Sequence, residues 1–157
     1  MVNTLKLPVG IDSFEKIRRN GFYYIDKTNL IEQILMNWGE VTLFTRPRRF
    51  GKTLNMDMLR TYFEKTQEDT SVYFRDKKIW ACGKYYQEYQ GKYPVIFLTF
   101  KDVKFTTWEE TFQAIRELIA REAYRHKEIQ DSETCDDLDR RAFARLLSGE
   151  ATETELS

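Results

Sequence analysis

The chain is poor in the residues that build metal sites and covalent frameworks. It holds one histidine, His126, and two cysteines, Cys82 and Cys135, in 157 residues. No CxxC pair and no histidine pair at ligand spacing exists, which excludes most metal chemistry and any disulfide framework. Both thiols read as reduced and partly buried. Charge of one sign is also missing: 25 Lys and Arg balance 25 Asp and Glu. A generally cationic nucleic-acid binder is thereby disfavoured, while a local basic patch is not. No apolar run approaches the ~18 residues of a membrane span. No N-terminal apolar stretch of the secretory kind is present, so the expectation is a cytoplasmic chain with no membrane partner. What is there is aromatic and charged: 15% aromatic, 32% charged and 41% hydrophobic residues. That mix argues for one folded domain with a charge-rich surface and against disorder.

Punctuation by glycine and proline divides the chain. Asp12 to Arg19 reads as a helix, capped by Asp12 or Ser13 and stopped at Gly21. Phe22–Ile25 reads as a short strand or extended lead-in. Thr28 or Asn29 opens a helix with Leu30, Ile31, Ile34 and Leu35 on one face, ending before Gly39. Val41–Phe44 reads as a strand, Thr45–Gly51 as a loop, and Lys52–Phe63 as a helix whose apolar face is Leu54, Met58, Leu59, Tyr62 and Phe63. Residues 66–93 carry no clear period. After Pro94, Val95–Phe100 is a continuous apolar run of the kind a strand buried on both faces shows. Thr107–Glu110 has the T-x-x-E spacing of a capping box. It opens a long helix with the stripe Trp108, Phe112, Ile115, Leu118 and Ile119, and a shorter helix follows with Leu138, Phe143, Leu146 and Leu147. A second T-x-x-E box at Thr152–Glu155 has only Leu156 and Ser157 behind it, which suggests that the chain is cut there.

One stretch carries chemistry: Thr45-Arg46-Pro47-Arg48-Arg49-Phe50-Gly51-Lys52-Thr53. Gly-Lys-Thr ends a phosphate-binding (Walker A) loop. Backbone N–H groups must converge on phosphate oxygens, which needs a tight turn and close approach, hence Gly51. The helix that follows offers its unpaired N–H groups and the positive end of its dipole. Lys52 reaches the β- and γ-phosphates and the Thr53 hydroxyl faces Mg²⁺ through the nucleotide. An apolar segment before the loop and an amphipathic helix after it supply the context this motif requires. The first glycine of G-x-x-x-x-G-K-[ST] is replaced by Arg46, and Pro47 restricts Arg46 to an extended shape, so the loop entrance differs from the common form. Residues 45–60 hold Arg46, Arg48, Arg49, Lys52 and Arg60 against Asp57 alone. Arginines that reach a phosphate add charge-assisted bonds of about 1.5–3 kcal/mol each.

Three strings carry a family likeness: Tyr24-Ile25-Asp26-Lys27-Thr28, Thr45 to Leu54, and Tyr93-Pro94-Val95-Ile96-Phe97-Leu98. Over residues from about 5 to 150 the chain resembles the bacterial AAA-ATPase-like family, whose members join an N-terminal P-loop ATPase region to a nuclease-like domain of the PD-(D/E)XK type. Arg in place of the first glycine is a feature of that family. The resemblance implies an α/β fold, a three-layer αβα sandwich of the P-loop NTPase type, here incomplete and truncated before the Walker B strand. It implies ATP and Mg²⁺ as cofactors, with Arg46, Pro47, Arg48, Arg49, Phe50, Gly51, Lys52, Thr53 and Leu54 at the nucleotide. It organises the chain as a helical lead-in (1–40), a strand–loop–helix (41–64) and a strand with two helices (94–148). A role for Asp26 or Lys27 at the nucleotide comes from the resemblance alone; the residues themselves read as a helix cap.

The magnesium-binding acid of such an enzyme ends an apolar strand. In the family that strand follows the two helices after Trp108, so hydrolysis by this chain is expected to be weak or absent. The internal candidate for that acid is Asp102, two residues past Val95–Phe100 with Lys101 between, which reads first as a charged residue at a strand end. The missing strands would expose apolar sheet surface and favour self-association. Nuclease carboxylates are absent, and contact with nucleic acid is left to the full-length family member. Phe14, Tyr23 and Tyr24 read as core before adenine stackers. His126 reads as a surface residue at a helix end. The acid-rich stretch 128–157 reads as a solvated face. Two other functions fit the same loop. A small-molecule kinase would need lid arginines such as Arg121 and Arg125. A non-catalytic interaction module would use the arginine-rich patch to grip nucleic acid phosphates or an acidic protein face.

Overall fold

The computed structural model describes residues 6–37, 39–45, 47 and 50–156. The first helix, α1 (Phe14–Arg19), starts where Ser13 accepts the Lys16 N–H at 3.3 Å. It ends at Asn20, just before Gly21 takes up φ 64°. Helix α2 spans Asn29–Asn37 and α3 Lys52–Phe63. A 3-10 turn, Thr70–Tyr73, follows with Asp69 as its cap, then α4 (Lys78–Ala81) and α5 (Lys84–Gln87). Contacts divide the chain into two compact units, Met1–Val95 and Ile96–Ser157.

The first unit closes around an aromatic and aliphatic core. Phe14 from α1, Ile31 and Leu35 from α2, Met58, Leu59 and Tyr62 from α3, Phe74 after the 3-10 turn, and Ile79 of α4 are all buried. Phe14 is stacked on Phe74 with ring centres 5.0 Å apart and meets Tyr24 edge-on at 5.1 Å. Tyr62 meets Phe74 edge-on at 5.0 Å. Its hydroxyl donates to the Tyr86 carbonyl at 2.7 Å, so a phenol inside the core has its partner. Residues 66–93, patternless in sequence, supply Phe74 and Ile79 to this core through short turns rather than long helices.

The second unit is built on α6 (Trp108–Arg125), packed on α7 (Asp137–Ser148). Thr107 caps α6 by accepting the Glu110 N–H, and its own hydroxyl donates to the Glu110 carboxylate at 3.0 Å. Asp136 and Asp139 form a reciprocal capping box on α7, and Gly149 ends it at φ 69°. The box at Thr152–Glu155 does open a short helix, α8 (Glu153–Leu156).

No α/β sandwich forms. Among the described residues there is no β-strand; the single bridge, Glu64 with Tyr93, is isolated. This overturns the three-layer αβα reading and the strands expected at Val41–Phe44 and Val95–Phe100; Phe22–Ile25, read as a short strand or an extended lead-in, forms no strand. Apolar, β-branched composition signals an extended segment, but a strand exists only where a neighbour takes its N–H and C=O groups. Tyr23 makes one such bond, to the Lys6 carbonyl at 2.9 Å. Phe97 gives its N–H to the Glu122 carboxylate at 2.7 Å instead of to a strand. The burial expected of Val95–Phe100 fails with the sheet, Ile96 being 73% exposed, and Val41 at 88% and Leu43 at 82% are exposed as well.

Candidate functional site

The Gly-Lys-Thr segment stands at the start of α3. Gly51 is the residue before the helix, in the left-handed region at φ 72° and ψ 25°. A side chain there would strain the backbone, which is the physical reason for glycine. No side chain caps α3, and its first turn carries no acid. The positive end of a 12-residue helix is therefore left without protein-supplied negative charge in its first turn. Lys52 and Thr53 are exposed, Leu54 is half-buried, and Phe50 is exposed. A cleft of about 480 Å³ opens here, lined by Gly51, Lys52, Thr53 and Leu54 on one side and by Gly10, Ile11 and Asp12 on the other. Those last three residues carried no sequence signal beyond a helix lead-in. Pro47 is exposed; Arg46, Arg48 and Arg49 lie outside the described residues.

What aims α3 is buried. Asp57, one and a half turns along, accepts the Phe14 N–H at 2.7 Å and the Arg60 guanidinium at 2.7 Å. One carboxylate thus binds α3 to the first residue of α1. Because Gly10–Asp12 leads straight into α1, the two walls of the cleft are tied through Asp57.

A second clamp holds the segment before α2. The Asp26 carboxylate accepts the Thr28 N–H at 2.9 Å, the Thr28 hydroxyl at 2.7 Å and the Lys78 N–H at 2.9 Å. The Thr28 oxygen accepts the Ile79 N–H at 3.1 Å. Burial alone would raise the Asp26 pKa, but the bonds from Thr28 and Lys78 and the charge of Lys77 bring it below its ordinary value. Asp26 is thus occupied with main chain from two elements. Lys27, between the clamped residues, is exposed; a Cβ built on Gly51 would stand 3.8 Å from its ammonium nitrogen.

The remaining candidates separate. Phe14 is fully buried, and Tyr24 is half-buried with its hydroxyl on Met58 Sδ at 3.3 Å. Burial pushes the Tyr24 phenol up to about 12. Both are core residues, while Tyr23 is 45% exposed. His126 is buried rather than on the surface, with Nε2 3.8 Å from Glu122. Arg125 is engaged by both Glu122 oxygens at 2.9 and 3.0 Å, and Arg121 Nε donates to the Glu117 carbonyl at 3.3 Å. Asp102 sits in a turn of the second unit, its carbonyl accepting the Lys104 N–H at 3.1 Å. Cys82 and Cys135 are free thiols. Among the described residues no group of three or more His, Cys, Asp or Glu side chains could hold a metal ion. Nor is any helix among them long and apolar enough to cross a membrane.

Comparison with known proteins adds the family. The family described as "Predicted AAA-ATPase" matches residues 8–155. An "Uncharacterized protein in vnfD 5'region" from Azotobacter chroococcum mcd 1 is 48% identical over 59 residues. That match takes in 37% of this chain and 11% of the relative, so the chain spans a small part of that protein's length. No solved structure matches the chain.

Proposed function

The chain belongs to the predicted AAA-ATPase family, and from that premise we propose that the Gly51–Thr53 turn binds the phosphates of ATP. The carrying observation is the left-handed Gly51 opening an uncapped helix, with no acid in its first turn, onto a cleft of about 480 Å³. Small-molecule sites fall in the range of roughly 300–1,000 Å³. The donor set suits a polyphosphate: main-chain N–H groups at a helix start, an ammonium and a hydroxyl.

In this reading the backbone at Gly51 lets the phosphates approach, Lys52 neutralises them, and the Thr53 hydroxyl is the protein's ligand to a nucleotide-bound Mg²⁺. Bound Mg²⁺ would offset the charge of the phosphate oxygens. Phe50 and Leu54 flank the contact. The pairing of Arg125 with Glu122 gives no support to lid arginines for a kinase.

Titration with a fluorescent ATP analogue in the presence of Mg²⁺ tests the proposal. Lys52→Ala is expected to weaken binding at least tenfold, the loss of about one charge-assisted contact. Equal affinity in wild type and Lys52→Ala would refute the phosphate assignment.

A further inference from the structure

We infer that Lys27 is a second cation of the phosphate site, delivered from the segment before α2; this rests on the nucleotide reading above. The observation is the juxtaposition of two remote segments. Apart from Gly51's own neighbours in the chain, the Lys27 ammonium is the nearest described atom to the space a Gly51 side chain would fill, at 3.8 Å. Gly51 is the point where the chain turns into α3, so a phosphate approaching that turn meets Lys27 as well.

Its backbone is held for this task. Asp26 and Thr28 on either side are bonded to the start of α4, and the Lys27 carbonyl accepts the Leu30 N–H at 3.0 Å. Among the described residues no carboxylate pairs with the Lys27 ammonium. Lys77 gives the contrast: its ammonium holds Asp76 at 2.9 Å. An exposed lysine beside an uncapped helix start adds positive potential where the helix already supplies it. Such a pair repels a cationic occupant, gains little from a neutral one and gains most from a multiply charged anion. The cleft on the α2 side of the loop, about 420 Å³, has room for it and is lined by Lys27, Asn29, Leu30, Gln33, Phe50 and Asn55. The ligand class follows: a polyphosphate, with Lys27 on one flank of Gly51 and Lys52 on the other.

Isothermal titration of the whole chain with MgATP and with inorganic tripolyphosphate, at low and moderate salt, tests this. Lys27→Met is expected to weaken both ligands about tenfold and to flatten the salt dependence. Lys27→Arg should restore most of the affinity, because a cation and not a specific shape is required. Circular dichroism should match wild type, since Lys27 is exposed. If Lys27→Met binds both ligands like wild type while Lys52→Ala does not, Lys27 has no such role and the nucleotide reading stands. If Lys27→Met loses MgATP but keeps tripolyphosphate, the contact is not to phosphate and the inference is overturned. If neither variant differs from wild type, or if wild type binds neither ligand, both proposals fail.

Discussion

The Asp57 carboxylate accepts the Phe14 backbone N–H at 2.7 Å, across 43 residues of chain. Two of the four N–H groups that an α-helix leaves unpaired at its start are thereby satisfied in α1, Phe14 by Asp57 and Lys16 by Ser13. A local cap and a remote one share the task. The remote one carries information about the site, because it fixes α3 against the residues that form the cleft's far wall.

Asp57→Ala should cost the first unit about 2–4 kcal/mol. The Phe14 N–H would lose a buried partner, and the Arg60 guanidinium would lose its carboxylate. Part of the Arg60 contribution is screened, since its side chain is 27% exposed. Asp57→Asn keeps an acceptor for Phe14 and should fall between the two. Urea denaturation of the three proteins checks the order, and a midpoint for Asp57→Ala equal to wild type would remove Asp57 from the account of how the cleft is held.

Asp26 makes stability depend on acid. Its carboxyl titrates below the ordinary 3.8 in the folded chain, where Thr28 and Lys78 bond the ionised form. The unfolded chain returns it to about 3.8. Folding is therefore favoured by this group at every pH above 3.8, and that share is lost as pH falls through the depressed folded value. Asp26→Asn should be less stable than wild type at neutral pH, and the gap should narrow on acidification below 3.8. Thermal melts of both proteins through that range read the difference. A gap that stays constant with pH would show that the carboxylate's charge is not what the clamp uses.

The helix boundaries are legible in the sequence, the absence of the expected sheet is not, and the reason is physical. Ser13, Thr107 and Gly21 act locally, within one turn of the helix they bound, so their residue types report their geometry. Val41–Phe44 and Val95–Phe100 have the composition of strands, yet pairing depends on a neighbour that composition does not specify. The Gly51 turn was legible for the same local reason as the caps: only glycine takes φ 72° without strain, and a lysine and threonine follow it. Gly10–Asp12 at that turn are not, and Lys27 enters only through the family resemblance, because what brings them there is a set of long-range bonds through Asp26, Thr28 and Asp57. Residues 66–93 hid their core contribution because Phe74 and Ile79 are carried by turns too short to show a period.

Glu122 does for the second unit what Asp57 does for the first. It is buried on α6, and Oε1 accepts the Phe97 N–H at 2.7 Å while both oxygens hold Arg125. The Phe97 amide is thus held by a side chain of α6, so substituting that side chain should loosen the segment at this point. Removing the acceptor leaves a polar backbone group to find water, which costs about 1–3 kcal/mol if the segment stays in place. The segment is already largely exposed, with Ile96 at 73% and Phe100 at 56%, so detachment is the cheaper response. Glu122→Ala should therefore raise the hydrogen-exchange rate of the Phe97 amide about tenfold or more, while amides in the first unit keep their rates. Glu122→Gln retains an acceptor and should give a smaller increase. Unchanged exchange at Phe97 in Glu122→Ala would mean that something other than this carboxylate holds the segment to α6.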